Sequence, residues 1–153
     1  MKQRSAPTIR GFLHPQCGPV LRAEVRSPTG LLTNGLAILD TGASLSAVDQ
    51  EVAHTLGLPS HGAARWSAVT DTGEPHPVAP LRRAAVRLSD DSRLWELDLI
   101  EIPRLRQAVP GKPVVALLGW NFLDQCVLLC DGPARTFTLE LPRWVSGRSA
   151  AAK

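Results

Sequence analysis

The chain has 153 residues, 44% of them hydrophobic, which is enough for one domain with a buried core. Its formal net charge is +3, but the basic residues are scattered and are not interleaved with aromatic residues, so the composition argues against a nucleic-acid partner. The three cysteines, Cys17, Cys126 and Cys130, are an odd number without a histidine cluster nearby, so we expect buried, reduced thiols, no disulfide framework, no metal site and no cofactor.

The N-terminal residues 1–18 are rich in proline, glycine and basic residues, and they predict a mobile arm. The basic start is not followed by an apolar segment of the kind a signal peptide has. No apolar run approaches the length of a membrane span. We therefore expect a soluble, cytoplasmic protein with no membrane partner, one domain over residues 19–145, and a disordered tail over residues 146–153.

The first predicted elements form a hairpin. Residues 20–26 alternate between apolar and charged side chains and predict a strand. The turn Ser27–Gly30 leads into a second strand over residues 31–39. Alternation and turn residues predict further strands at residues 46–48, 66–70, 77–81, 84–88, 94–102, 114–118, 127–129 and 136–141. Many short strands favour an all-β domain.

Only two short helices are predicted. Asp49 is placed as the N-cap of a helix through Leu56, because its carboxylate can accept from the first free N–H groups of the helix. Gly57 suits the position just after that helix, and Pro59 blocks its continuation. The second helix would follow Gly119.

The turn at the end of the second strand carries the chemistry. Its residues are Asp40, Thr41, Gly42, Ala43 and Ser44, and they follow the apolar run at residues 36–39. Glycine permits a tight turn, and the threonine hydroxyl can form a hydrogen bond across a symmetric contact. An aspartate in this setting is similar to one half of an aspartic-protease dyad, the pair of carboxylates that activates water.

A second segment stands near the C-terminus. Residues 114–118 form an apolar run that ends at Gly119 and is followed by Trp120, Asn121 and Phe122. Together, the segments Ile38-Leu-Asp-Thr-Gly-Ala-Ser44 and Leu117-Leu-Gly-Trp-Asn-Phe-Leu123 resemble the retropepsin family of single-domain aspartic proteases, over residues 19 to 141.

The resemblance implies an all-β, retropepsin-like acid-protease barrel with one or two short helices, active as a homodimer. It implies an aspartic endopeptidase that hydrolyses a polypeptide substrate with a water activated by two copies of Asp40, one from each chain. Thr41, Gly42, Ala43 and Ser44 would support that carboxylate. The residues expected beside the site are Leu118, Gly119 and Asn121.

The family also has a flap, a hairpin that covers the substrate groove. Its position corresponds to the turn-rich tip Asp71–Pro75, and Thr72, Gly73 and Glu74 would contact the substrate. Asp71 begins a second Asp-Thr-Gly, which could be a second catalytic centre. The flap is the favoured interpretation, because the preceding residues are less apolar, no second apolar-apolar-Gly follows, and these are ordinary turn residues.

Two positions depart from the viral pattern. Many viral members carry an acidic residue at the position of Ser44 and an arginine at that of Trp120, and the two form an ion pair. Here both are replaced together, which predicts a different groove or dimer contact.

Two other classes of function compete with the enzyme. A catalytically inactive retropepsin-like domain could act as a peptide-binding or dimerisation module, since a fold alone does not establish activity. The intact Asp40 turn favours the enzyme. A small ligand-binding β-barrel would leave both recognised segments unexplained.

Overall fold

A computed structural model describes residues 6–66, 77–89 and 91–142. These residues form ten strands, two short helices and one turn of 3-10 helix. In chain order the elements are β1 Thr8–His14, β2 Gly18–Arg26, β3 Leu32–Leu39, β4 Ser46–Asp49, α1 Gln50–Thr55, β5 Ser60–Arg65, β6 Val78–Leu88, β7 Trp95–Ile102, the 3-10 helix Leu105–Gln107, β8 Val114–Leu118, α2 Trp120–Leu123, β9 Val127–Asp131 and β10 Thr136–Glu140.

Six of the strands close into a barrel in the order β6-β7-β4-β8-β3-β2, and β2 pairs again with β6. The pairs β3–β8 and β4–β7 are parallel, and the other pairs are antiparallel. β5 adds to the barrel beside β6, while β1, β10 and β9 extend the sheet from β2. The prediction of an all-β domain with one or two short helices is confirmed.

The sheet buries one cluster of apolar side chains on each of its two faces. Successive side chains of a strand point to opposite faces, so neighbours along a strand belong to different clusters. Leu39 and Leu118 belong to the larger cluster, which also packs against α1, α2 and β10. Their neighbours Ile38 and Leu117 belong to the second cluster, which reaches the ends of β5 and β6 and the 3-10 helix. The ends of β3 and β8 are therefore apolar on both faces.

The seam between β2 and β6 carries a buried charge. Glu24 is 5% exposed, and it pairs with Arg87 across the seam at 2.6 Å and with Arg26 at 2.8 Å. Burial alone would raise the pKa of the Glu24 carboxyl, but the hydrogen bonds and positive charges of the two arginines outweigh it and lower the pKa. The ion pairs therefore hold Glu24 ionised where the barrel closes.

The capping prediction for α1 is confirmed. The Asp49 side chain accepts hydrogen bonds from the N–H groups of Glu51 and Val52. Its other oxygen accepts from Arg106 N at 2.8 Å, which ties the helix start to the 3-10 helix. Gly57 has φ +58°, the left-handed conformation expected just after a helix.

Three sequence expectations need correction. The mobile arm predicted for residues 1–18 is wrong for residues 8–14, which form β1 between β10 and β2. β5 occupies residues 60–65, where no strand is predicted. The strands predicted at residues 77–81 and 84–88 are one strand, β6. The predicted tail at residues 146–153 lies outside the described residues.

The cysteines follow the prediction only in part. All three are free thiols, as expected. Cys126 is half-buried, and burial, reinforced by Asp124, raises the pKa of its thiol to about 11 despite the opposing charge of Arg93. Cys130 is exposed on β9, so the expectation that it is buried is wrong. Among the described residues, no group of three or more His, Cys, Asp or Glu side chains is arranged to hold a metal ion. The part of the chain that the structure describes also has no helix long and apolar enough to cross a membrane.

Candidate active site

Asp40 lies where β3 leaves the barrel. Its N–H donates to Leu118 O at 2.9 Å, which extends the parallel ladder between β3 and β8 by one residue. The chain then turns, and Asp40 Oδ1 accepts from Gly42 N at 2.8 Å. The side chain is half-buried. The backbone of β8 and the N–H of Gly42 together fix the position and orientation of this carboxylate.

The start of α2 packs directly against the turn. A β-carbon added to Gly119 would lie 2.7 Å from both Ala43 O and Leu45 O, so only glycine allows this approach. Trp120 N donates to Ala43 O at 2.8 Å, and Asn121 N donates to Ser44 O at 3.2 Å. The first N–H groups of a helix have no partner inside it. Here the carbonyl groups of Ala43 and Ser44, in the Asp40 turn, accept from two of them.

Hydrogen bonds among Ser46, Gly119 and Asn121 stabilise this contact between the turn and α2. Asn121 Oδ1 accepts from both Ser46 N at 2.8 Å and Ser46 Oγ at 2.6 Å. Ser46 Oγ in turn accepts from Gly119 N at 3.0 Å. Asn121 Nδ2 donates to Asp98 O at 3.0 Å, which connects the group to β7. Ser46 is fully buried, so the bond from Gly119 N to its hydroxyl is shielded from water.

Trp120, one of the two positions that depart from the viral pattern, also contacts the Asp40 turn. Its indole Nε1 donates to Thr41 O at 2.6 Å. The indole is still 48% exposed, and Thr41 is also exposed. This bond joins the start of α2 to the backbone of Thr41 in the turn.

The predicted site residues on β3, β8 and α2 thus come together around one turn: Asp40, Thr41, Gly42, Ala43, Ser44, Leu118, Gly119 and Asn121. Ser46 is the residue that sequence reasoning missed. The proposed flap residues Thr72, Gly73 and Glu74 lie outside the described residues. The strands that flank these residues, β5 and β6, pair antiparallel up to Arg65 and Val78. Beyond them, Trp66 N donates to Pro77 O at 3.2 Å.

Comparison with protein families identifies the chain. The family model for aspartyl proteases matches residues 30–122, which include the Asp40 turn, β8 and the start of α2. The chain belongs to the aspartyl protease family. Its Asp40 turn and the Leu118-Gly119 segment correspond to the two sequence segments that carry the retropepsin resemblance. No curated protein matches the chain in sequence.

Solved structures of retropepsin-like proteases resemble the fold. A retropepsin-like aspartic protease from Rickettsia conorii aligns with a TM-score of 0.51 at 14% identity, over 92% of this chain and 98% of that one. The retroviral protease-like domain of Ddi1 from Leishmania major aligns at 0.44 and 15% identity, over 84% and 96%. The EIAV protease complexed with the inhibitor HBY-793 aligns at 0.34 and 16% identity, over 81% and 90%. The first of these alignments supports the retropepsin-like fold over nearly the whole chain.

Proposed function

We propose that the protein is an aspartic endopeptidase that cleaves polypeptides as a homodimer. The observation that carries the proposal is the Asp40 turn, whose carboxylate is oriented by Gly42 N and whose backbone is held by β8 and α2. Two such carboxylates, one from each chain, would share a proton and activate a bound water. We infer no metal and no cofactor in this reaction, and a polypeptide as the substrate.

The proposed chemistry divides between the two copies of Asp40. The ionised carboxylate takes a proton from the water as it attacks the scissile carbonyl. The protonated carboxyl hydrogen-bonds that carbonyl and later supports proton transfer to the leaving amine. Within the described residues, Asp40 Oδ1 accepts from the turn, which leaves Oδ2 for the water and the second carboxyl.

Two surface features support the homodimer. Thr41 is exposed in the single chain although it stands beside the carboxylate, so a second copy could cover it. β9 is the last strand of the sheet order, and its side chains Val127 and Leu129 are 60% and 65% exposed. An exposed apolar strand at a sheet edge is a template for pairing with another chain. Both features favour self-association.

The test is the substitution Asp40→Asn, which keeps the shape of the side chain and removes its acid–base chemistry. Cleavage of a denatured, fluorescently labelled polypeptide should fall by about 10²–10⁴-fold or more, at both acidic and neutral pH. The matched control is Asp124→Asn, an exposed aspartate just after α2, which should cleave like the wild type. Circular dichroism and sedimentation should be unchanged in both variants.

Two results would contradict the proposal. If Asp40→Asn cleaved at the wild-type rate, the carboxylate would not be catalytic. If the wild type bound the polypeptide without cleaving it at any pH tested, the inactive peptide-binding module would be the better interpretation.

A further inference from the structure

A groove lies away from the Asp40 turn, between β1, the residues that follow β6, and the loop before β8. It consists of a cavity of about 830 Å³ and an adjoining cavity of about 540 Å³. The two share Arg22, Leu36, Ser89 and Lys112 in their lining. No residue from Asp40 to Ser46 lines either cavity. The larger cavity alone is within the range of pockets that hold ligands, so we name the pair the β1 groove and consider what it could bind.

The sheet forks at the β1 groove. β2 pairs with β1 only through its first residues, Gly18 to Val20, and from Ala23 onward the same edge of β2 pairs with β6. β1 continues away from the fork, paired along Thr8–Phe12 with β10 on its other side. The N-terminal half of β1 therefore has one edge without a strand partner among the described residues, and that edge borders the larger cavity.

The hydrogen-bonding register shows which backbone groups face the β1 groove. In an antiparallel ladder, the N–H and C=O of one residue point to the same side, and the side alternates along the strand. Pro7 O accepts from Leu141 N, and Leu13 N donates to Arg135 O, so the odd-numbered residues of β1 face β10. Thr8 and Arg10 consequently direct their backbone groups toward the groove. These groups form a docking edge for an added strand.

Among the described residues that line the β1 groove, basic side chains outnumber acidic ones: they are Arg10, Arg22, Arg87 and Lys112 against Glu24 and Asp91. Its acidic members are already ion-paired: Glu24 with Arg26 and Arg87, and Asp91 with Arg93 at 2.9 Å. Arg10 and Lys112 line the larger cavity, and neither has an ion pair with another described residue.

The side chain of Phe12 provides an apolar surface beside these charges. Phe12 is 75% exposed at the edge of the larger cavity. A ligand for the β1 groove would therefore combine backbone hydrogen bonds, carboxylates and at least one apolar side chain.

We propose that the β1 groove is an exosite for an extended, acidic peptide segment. The segment adds as a strand along Thr8 and Arg10, places carboxylates near Arg10 and Lys112, and packs an apolar side chain on Phe12. The chain's own ends do not fit this chemistry, because residues 1–5 and 143–153 contain basic residues and no acidic ones. In a protease such a site would hold a substrate at a distance from the scissile bond. That role rests on the proposed function, whereas the binding itself does not.

The test measures peptide binding by fluorescence anisotropy with the full-length Asp40→Asn chain, so that cleavage does not interfere. The probe is a labelled peptide that alternates glutamate with valine, and the matched peptide has lysine in place of glutamate. We expect binding of the acidic peptide alone, weakened by added salt because the attraction between exposed charges is screened. The same acidic peptide with methylated backbone nitrogens at alternate positions should bind more weakly.

The variants locate the site. Replacing both Arg10 and Lys112 by alanine should weaken binding by about tenfold, the effect of losing two exposed charge contacts. The matched control is Arg135→Ala, an exposed arginine in the turn between β9 and β10, which should bind like the parent chain. Phe12→Ser should also weaken binding and gives a second test if the double variant fails to fold.

Two outcomes would overturn the proposal. The first is equal affinity of the chain for the acidic and the lysine peptide. The second is equal affinity of the double variant and Arg135→Ala for the acidic peptide. Since all measurements use a chain with Asp40 replaced, a failure of the protease proposal would leave them unaffected.

Discussion

Ser46 and Asn121 bond the start of α2 to β4 beside the candidate site, yet the sequence identified only one of them. Asn121 stands in a segment that resembles a known family, and its role beside the site follows from that resemblance. Ser46 stands at the start of an apolar strand, and its partner is 75 residues away. The alternation of a strand predicts which face a side chain occupies, but it does not identify a distant hydrogen-bond partner.

Replacing Ser46 by alanine tests this buried group. The change removes the hydroxyl that donates to Asn121 Oδ1 and leaves Gly119 N, a buried donor, without its acceptor. The free energy of unfolding should fall by about 1–3 kcal/mol, the typical result of leaving a buried polar group unsatisfied. Urea unfolding of both proteins gives the measurement.

Ser44→Ala serves as the control for that prediction. Ser44 is in the same turn but exposed, so its replacement should change the free energy of unfolding by less than about 0.5 kcal/mol. Equal stability of Ser46→Ala and Ser44→Ala would show that the buried bonds add little to the fold.

At the scale of single elements, the alternation of apolar and polar residues identified most of the barrel strands. It failed to predict a strand where a contact with a distant residue determines the local structure. β1 has an alternating pattern of exposure, but Gly11 interrupts its sequence. A β-carbon on Gly11 would lie 2.6 Å from Phe137 Cε1, so the buried ring of Phe137 takes the place of the missing side chain. Such a glycine weakens a strand prediction because its packing partner lies on another strand.

β6 shows the opposite effect, since two predicted strands merge into one. The adjacent residues Arg82 and Arg83 separate the two apolar patterns and suggest a break. In the structure Arg82 pairs with Glu101 and Arg83 pairs with Asp98, both of β7. The two arginines are therefore accommodated within a continuous strand by acidic partners that the local sequence does not contain.

The charged seam between β2 and β6 predicts how stability depends on pH. Because the pKa of Glu24 is lowered in the folded state, the folded protein binds this proton less readily than the unfolded chain does. The ionised Glu24 contributes fully to stability at pH values above its unfolded pKa of 4.5. That contribution is lost as the pH falls through the lower pKa that Glu24 has in the folded protein. Acidification should therefore destabilise the protein partly through Glu24.

The variant Glu24→Gln separates this contribution from the other carboxyl groups. It should be less stable than the wild type at about pH 7, because Arg26 and Arg87 lose their charged partner, and the difference should shrink by about pH 3. Urea unfolding across this range gives the comparison. Glu96→Gln, which changes an exposed glutamate of β7, should follow the wild type at every pH. A difference for Glu24→Gln that does not vary with pH would contradict the assignment.

At the scale of the whole molecule, strand patterns alone could not predict how the barrel closes. The antiparallel hairpin of β2 and β3 follows from the short turn between them. The parallel pairs β3–β8 and β4–β7 and the closing pair β2–β6 join distant segments, and only the resemblance to a known family implied such a barrel. Those parallel contacts place Asp40 beside Leu118 and Gly119. The fold thus brings together the two segments that the sequence identified separately.

The last prediction concerns the assembly that the chemistry requires. Each chain has one Asp40 turn, and the proposed reaction needs two carboxylates, so a two-fold axis would place one from each chain together. Specific activity should therefore fall when the protein is diluted below the dissociation constant of the dimer. Sedimentation at the same concentrations gives the fraction of dimer, and the two curves should coincide.

Mixing provides the sharper measurement. When wild type and Asp40→Asn are mixed in equal amounts at constant total concentration and allowed to exchange, only about one quarter of random dimers contain two carboxylates. Activity should then fall to about one quarter of the unmixed value, whereas independent monomers would keep about one half. The control mixture with Asp124→Asn should keep full activity. If a monomeric sample retained full specific activity, the dimer proposal would fail and Asp71 would become the candidate for the second carboxylate, with Asp71→Asn as the variant that decides.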